Sequence, residues 1–481
     1  MRHRQFPMFL ALIATLAGCG GDSGTGSGGG GSTSVTPTPS PTATQTTAGA
    51  GCSVRERQDW VLAQMKEWYL FPDLLDTAVN PAAYSDPSPY IDALTAPARA
   101  QSKDRFFTYL TSIAQENAFY ASGATAGFGV RLSYDSTAGR LFVLEAYEGA
   151  PALSAGIDRG TEIIAIGDTA ASLRTVSAIF AAEGSAGVSA ALGPSTAGVT
   201  RVLRVITGGV TKDLTVTKGT YEITPVSARY GAKILDNGGT KVGYVNLRTF
   251  IDTADPALRS AIGSFRAQGI TQVVVDLRYN GGGLVSIADT FGNLLGGNRS
   301  GQVFSYTTFR PEKSGNNSTK LFAAQPQSIS AMKIAFIGTG GTASASELVI
   351  NAFKPYLGTN GGLIGTNTYG KPVGQIALDK ASCDDRLRVV AFRTENANRE
   401  GDYYTGLASR IPSTCSAGDD YTHALGDPAE TSLKVALDFL AGRSCTPISS
   451  AGQSAQAAIS RYRLLDGNMA ETSAREVPGT F

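Results

Sequence analysis

Twice along this chain a short run of apolar residues stops at a cluster of glycines and resumes with helical spacing. Residues 273–277 (V-V-V-D-L) run into 278–283 (R-Y-N-G-G-G) and then an apolar-periodic stretch over 284–295. Residues 333–337 (K-I-A-F-I) run into 338–344 (G-T-G-G-T-A-S) and then a helical pattern over 345–356. Runs this short and this apolar read as buried strands, and strand–turn–helix units in series build a parallel sheet covered by helices. The same alternation extends to a strand over 242–247, a helix over 256–268 opened by Pro256 and stopped by Gly269, a strand over 363–365 and a last helix over 428–440. That last helix has Asp427 and Glu430 at its start and Gly442 past its end, residue types suited to both roles.

Glycines and small residues let a backbone approach a ligand closely, and the first turn of a helix leaves its N–H groups unpaired. A serine there stands beside donors able to hold an oxyanion. Ser344 and Ser346 both occupy such a position; the plain alternative is an ordinary serine at a helix start.

Two further stretches narrow the choice. Residues 276–283 read D-L-R-Y-N-G-G-G, residues 342–347 read T-A-S-A-S-E, and residues 370–375 read G-K-P-V-G-Q. Together, and in this order, they resemble the signature of the C-terminal processing (tail-specific) proteases, serine peptidases with a Ser–Lys dyad. The resemblance extends from about Gly127 to Leu440. It implies Ser344 as nucleophile rather than Ser346, Lys371 as base and Gln375 as the residue orienting that lysine. It also implies an oxyanion hole built from the N–H of Ala345 and of Gly282, with Gly281 next in line. Asp276 and Arg278 are expected to brace the turn. Lysine serves as a base only when neutral, so its pKa must fall, and Tyr369, Val373 and Ile376 supply apolar surroundings.

Composition supports a lysine base. The chain has two histidines, His3 and His423; the first lies in a segment expected to be removed, and the second reads as structural. No cofactor and no metal are expected. Asp384–Asp385 and Asp419–Asp420 read as solvated loop carboxylates. Net charge is +1 with 17% charged residues, which gives no footing for nucleic-acid binding. Residues 365–371 also fit G-x-x-x-x-G-K, but Pro372 and a strand-like run follow where a phosphate loop needs Ser or Thr and a helix.

Ahead of the core, Arg2 and Arg4 precede a short apolar run and then L-A-G-C at 16–19. This is a signal-peptide layout that resembles a bacterial lipobox with Cys19 as the lipidated residue. Residues 1–18 are therefore read as signal peptide and 19–51 as a Gly/Ser/Thr/Pro tether that cannot order itself. The implied location is the periplasmic side of a bacterial membrane, lipid-anchored, at the outer membrane. Residues 52–120 are expected to be a small helical domain, with a Ser53/Glu56 capping box and a second helix near 104–113. Residues 121–218 resemble a PDZ domain, whose loop Gly127-Phe128-Gly129-Val130 would take the end of a peptide by strand addition. Its further marks are a short helix at 151–155 and the strand-like 160–167.

The resemblance implies a multidomain α/β protein with a Clp- and crotonase-like ββα core over 225–445, and a tail over 446–481 to which no function is assigned. The expected partners are polypeptide substrates, with no nucleic acid. Cysteines Cys52, Cys383, Cys415 and Cys445 form an even set for an exported chain; the expected bridges are Cys383–Cys415 and Cys52–Cys445. A peptide- or lipid-binding protein on the same fold and a crotonase-type acyl-CoA enzyme are the alternatives. The intact Ser344, Lys371 and Gln375 argue against the first, and the export signal and PDZ-like segment against the second.

Overall fold

The computed structural model describes residues 51–449, 462–467, 469 and 471–481. The signal segment, Cys19 and the tether up to residue 50 lie outside the described residues. The fold is multidomain α/β.

The central sheet has six strands in the order Ala232–Asn237, Thr240–Asn246, Gln272–Asp276, Lys333–Gly338, Gly361–Gly365 and Ser413–Ser416. The first pair is an antiparallel hairpin and every later pairing is parallel. The strands are apolar throughout because both faces are covered. Val273 and Val275 face the helices Ala254–Ala267, Val285–Leu295 and Ala345–Leu357, whereas Val274 faces the helix Thr431–Leu440. That last helix starts later than its sequence suggests. Glu430 accepts the Leu433 N–H and is the N-cap, while Asp427 caps only the turn before it, through Ala429.

A second sheet joins Asp385–Glu395 to Val303–Phe309 and to the strand Val373–Lys380 that follows Lys371. It also takes in Tyr109–Ser112, antiparallel to Asp385–Glu395, where a helix over 104–113 was expected. The reason is local competition. Buried Asp104 accepts the N–H of Phe107 and of Thr108, the Thr108 hydroxyl and the Tyr69 hydroxyl. That turn diverts the chain before a helix can propagate, and the next helix is Ile113–Ser122. The Ser53/Glu56 capping box does open the helix Val54–Trp68. Its Val61 and Met65 share a core with Val373, Leu387, Val389 and Val390, so the N-terminal module buttresses the hairpin that carries the lysine.

Residues 130–217 form a β-rich unit with strand order Val130–Asp135, Arg140–Ala146, Glu162–Gly167, Thr200–Thr207, Val210–Thr217. A short helix at Pro151–Ser154 and a long one at Val176–Leu192 accompany it. The long helix is rich in Ala, Gly and Ser and interrupted at Gly184, so its sequence lacks a clear helical signature. The described residues of the tail are built into the fold. Tyr462–Leu464 pairs antiparallel with Val130–Asp135, and Thr472–Glu476 is a buried helical turn.

The disulfides are Cys52–Cys383 and Cys415–Cys445, not the pairs expected. Cys383 sits at the tip of the hairpin formed by Val373–Lys380 and Asp385–Glu395. The salt bridge from Arg57 to Asp385 brings the first helix to that tip. Cys415 lies on the outer strand of the central sheet, packed with Cys445 in the cluster beneath Thr431–Leu440.

Candidate active site

Three loops leave the carboxyl ends of three adjacent parallel strands, the usual place for ligands in an open α/β sheet. They are 277–283 after Gln272–Asp276, 339–344 after Lys333–Gly338, and 366–372 after Gly361–Gly365.

The first is braced as its sequence suggests. Arg278 is buried, bonded to Asp276 through Nε and to both carboxylate oxygens of Glu430 at 2.8 Å. Asn280 then acts as a staple. Its amide donates to the Leu247 carbonyl, its side-chain oxygen accepts the Gly282 N–H at 2.9 Å, and its main-chain oxygen accepts the Ala343 N–H and the Ser346 hydroxyl. Gly282, with φ of 121°, lies directly against Ser344: a Cβ there would come 2.7 Å from the serine's own Cβ.

Ser344 and Ser346 are separated by environment. Ser346 is fully buried, its hydroxyl spent on Asn280. Ser344 is half-buried at the N-cap of Ala345–Leu357, with φ 55° and ψ −116°. A non-glycine residue in that region is strained, and such strain persists only where the surroundings hold it. Glu347 contributes to the hold. One of its oxygens, Oε2, accepts the Ser344 N–H at 3.1 Å and the Lys371 N–H at 2.7 Å; the other, Oε1, accepts the Gly370 N–H at 2.7 Å and the Thr368 hydroxyl at 2.5 Å. The serine loop and the lysine loop are thus fastened to one buried carboxylate. Burial raises the Glu347 pKa, and the four donors work against that rise.

Lys371 is half-buried, and its Nζ donates to Gln375 Oε1 at 2.9 Å and lies 5.3 Å above the Phe107 ring. The Gln375 amide is oriented by its own donation to the Phe107 carbonyl. Desolvation lowers the Lys371 pKa; the Glu476 carboxylate opposes this and Arg475 adds to it. Pro372 leads directly into the strand Val373–Lys380 rather than a helix, so the phosphate-loop pattern has no structural counterpart.

Of the oxyanion candidates, Ala345 is the first residue of its helix, and its N–H has no intrahelical acceptor. The Gly282 N–H is already satisfied by Asn280, whereas the Gly281 N–H donates to the main-chain oxygen of Glu476 at 2.9 Å. Gly281, ranked second from sequence, is the donor in this turn that meets a carbonyl from outside it.

The four-residue loop 127–130 opens the β-rich unit. Gly129, with φ 76°, passes so close to Ala150 that any side chain would collide with it. The N–H groups of Gly129 and Val130 donate to the main-chain oxygen of Phe481 at 2.9 and 3.3 Å. Phe128 is buried beneath, and a Cβ on Gly127 would lie 2.7 Å from the Phe481 carbonyl carbon.

The remaining candidates are structural. Asp419 pairs with Arg159 and Arg278 and accepts from the Tyr279 hydroxyl. Asp385 is buried against Arg57, and Asp384 caps Ala114 and Ser112. Expected as solvated carboxylates, these are instead used to fix loops. His423 is bonded to Asp420 in an exposed turn. Two residues with site contacts carry no assigned role from sequence. Glu347 stands inside the T-A-S-A-S-E motif, which marks it. Asn280 stands inside R-Y-N-G-G-G, but its side-chain targets are remote and nothing local signals them.

Residues 241–400 match the sequence model described as peptidase family S41, and residues 56–109 match that of the peptidase S41 N-terminal domain. The chain is 28% identical over 269 residues to a chloroplastic C-terminal processing peptidase of Tetradesmus obliquus, covering 54% of this chain and 54% of that one. It is 24% identical over 324 residues to a carboxyl-terminal-processing protease of Synechocystis sp., covering 67% and 70% respectively. The chain therefore spans about half the length of the first of these curated relatives. An S41 protease structure from Bacteroides fragilis matches with a TM-score of 0.60 at 21% identity, over 80% of this chain and 97% of the other. At that identity the likeness speaks for the fold.

Proposed function

We propose that this chain, which carries the peptidase family S41 domain over residues 241–400, is a serine endopeptidase that cuts exported polypeptides at or near their C-termini or in unstructured segments. The observation that carries the reading is the single oxygen Glu347 Oε2, bonded to the main chain of both Ser344 and Lys371. A structural carboxylate needs no such pairing. A dyad does, because its two members must keep one separation through the reaction. In the proposed cycle Ser344 Oγ attacks the scissile carbonyl carbon and its proton passes to Lys371 Nζ. The C–N bond then breaks, and Lys371 gives the proton to the leaving amine. Water next attacks the acyl-serine with Lys371 accepting its proton, and the serine is restored as the carboxylic acid leaves. The N–H groups of Ala345 and Gly281 face the developing oxyanion.

The β-rich unit is proposed as a PDZ domain that receives a substrate's end. The donation of the Gly129 and Val130 N–H groups to the main-chain oxygen of Phe481, beside a segment added as a strand, supports this assignment. The test of the whole reading is reaction with a serine-directed phosphonate followed by mass mapping. An adduct on Ser344, lost in Ser344→Ala together with casein cleavage, is the expected result. Casein cleavage intact in Ser344→Ala would exclude the dyad, and an unlabelled Ser344 in a parent that cleaves no casein would favour a binding protein on this fold.

The anchor is proposed from the L-A-G-C at 16–19. Cys19→Ser should shift the protein from the membrane fraction to the soluble periplasmic fraction or block its maturation; unchanged membrane association would remove the lipid anchor.

A further inference from the structure

Three places that the proposed reaction reserves for a substrate are occupied by one stretch of this same chain. The first is the groove of the β-rich unit. There Leu132 N–H donates to the Gly479 oxygen at 2.7 Å and Phe481 N–H donates to the Val130 oxygen at 2.9 Å, with Arg131 bridged antiparallel to Thr480. This is strand addition. Phe481 is 4% exposed, packed in one cluster with Phe128, Leu132, Ile179 and Val188. The second is the oxyanion turn, where the Glu476 carbonyl takes the Gly281 N–H. A Cβ on Gly281 would come 2.2 Å from the Arg475 oxygen, so only glycine admits this approach. The third is the cavity of about 200 Å³ in front of Lys371, where Arg475 and Pro478 form part of the wall. Arg475 is pinned there by donation to the Phe106 carbonyl at 2.7 Å and by the Tyr109 ring 3.7 Å beneath it.

We infer that residues 472–481 are an internal ligand lying along the route of a substrate's last residues, and that this segment holds the proposed site closed until it is displaced. The inference rests on the peptidase reading for what is being closed, but the binding of the segment does not. The chemistry of the occupant also describes what can replace it. A competing polypeptide places an aromatic or large apolar side chain in the Phe481 pocket, lays its last three residues as a strand on Val130–Leu132, and presents to Gly281 the carbonyl of the residue five positions upstream. That register sets the cut roughly five residues from the end held in the groove. A structural tail would need the strand and the ring; it would not need to satisfy the Gly281 N–H beside Ser344. The buried Glu476 carboxylate, one oxygen bonded to Tyr120 and the other without a hydrogen bond among the described residues, also favours the protonated form of Lys371, which is inert as a base.

The test compares the unmodified chain with two release variants. Phe481→Asp puts a charge in the apolar pocket, and Thr480→Pro distorts the added strand; Phe481→Leu is the control that keeps the pocket filled. Folding is checked by melting. A tethered ligand acts at an effective concentration near millimolar, so even a weak contact keeps the groove filled; release should raise the rate of phosphonate labelling at Ser344 roughly tenfold. A fluorescent peptide T-S-A-R-E-V-P-G-T-F, copied from residues 472–481, should bind the release variants and suppress the raised labelling. It should not bind the unmodified chain or Phe481→Leu at the same concentration. Three results would overturn the inference: a parent that is labelled at Ser344 with a folded release variant labelled no faster, raised labelling that the peptide does not suppress, or equal peptide binding by the unmodified chain. If no form is labelled but the peptide still binds only the released chains, the internal ligand stands and the peptidase reading falls.

Discussion

Lys371→Ala should lower the rate of casein cleavage by about a hundred- to ten-thousand-fold, the range that a positioned acid–base group supplies, without a comparable loss of melting temperature. Lys371→Arg should be nearly as inactive although it keeps the positive charge, because a guanidinium does not give up its proton. The parent's pH profile carries the sharper test. Lys371 must be neutral to accept the serine proton, so the rate follows the neutral fraction: it climbs with pH below the lysine's pKa and levels above it. Desolvation lowers that pKa from the ordinary 10.5, so the plateau should begin below pH 10.5. The Gln375 contact keeps the amine oriented without adding a charge that would raise its pKa. Cleavage that persists in Lys371→Ala, or a parent rate that falls between pH 7 and 9, would rule out lysine as the base.

What could be read from sequence was what is local. The apolar runs 273–277 and 333–337 each form a buried strand within one residue of their limits, because both faces of each are covered and no alternation blurs them. That the second of two serines two residues apart would be the more buried was also readable, since a helical turn covers it. What could not be read depends on distant segments. Asp104 diverts a helical pattern into the strand Tyr109–Ser112, which is completed only by pairing with residues 385–388. Disulfide partners follow from which loops meet, not from spacing. The tail looks idle because a strand of three residues has no periodicity, and its fit appears only beside Val130 and Gly281.

Glu347→Leu should be the most damaging single change that touches neither substrate nor dyad side chain. The carboxylate is 0% exposed and accepts from four groups: the Ser344, Gly370 and Lys371 N–H and the Thr368 hydroxyl. Each donor left buried without an acceptor costs about 1–3 kcal/mol, so loss of all four should remove about 4 kcal/mol or more, a large part of a domain's stability. Glu347→Gln discriminates between a packing role and a positioning one. Its single amide oxygen can still serve Ser344 and Lys371 if it faces them, and the Thr368 hydroxyl can turn to accept from the amide nitrogen. Only the Gly370 N–H then goes unpaired, at a cost of about 1–3 kcal/mol. The glutamine variant should therefore fold. Its kcat should still fall roughly a hundredfold, because the amide NH2 then faces the Gly370 N–H donor to donor and pushes the lysine loop away, and displacement of a catalytic pair by about an ångström has that effect, while KM stays near the parent value because Glu347 meets no substrate. Phosphonate labelling of Ser344 should slow in step with kcat. A folded Glu347→Gln with parental kcat would mean that this carboxylate only fills the core, and that Ser344 and Lys371 keep their places without it.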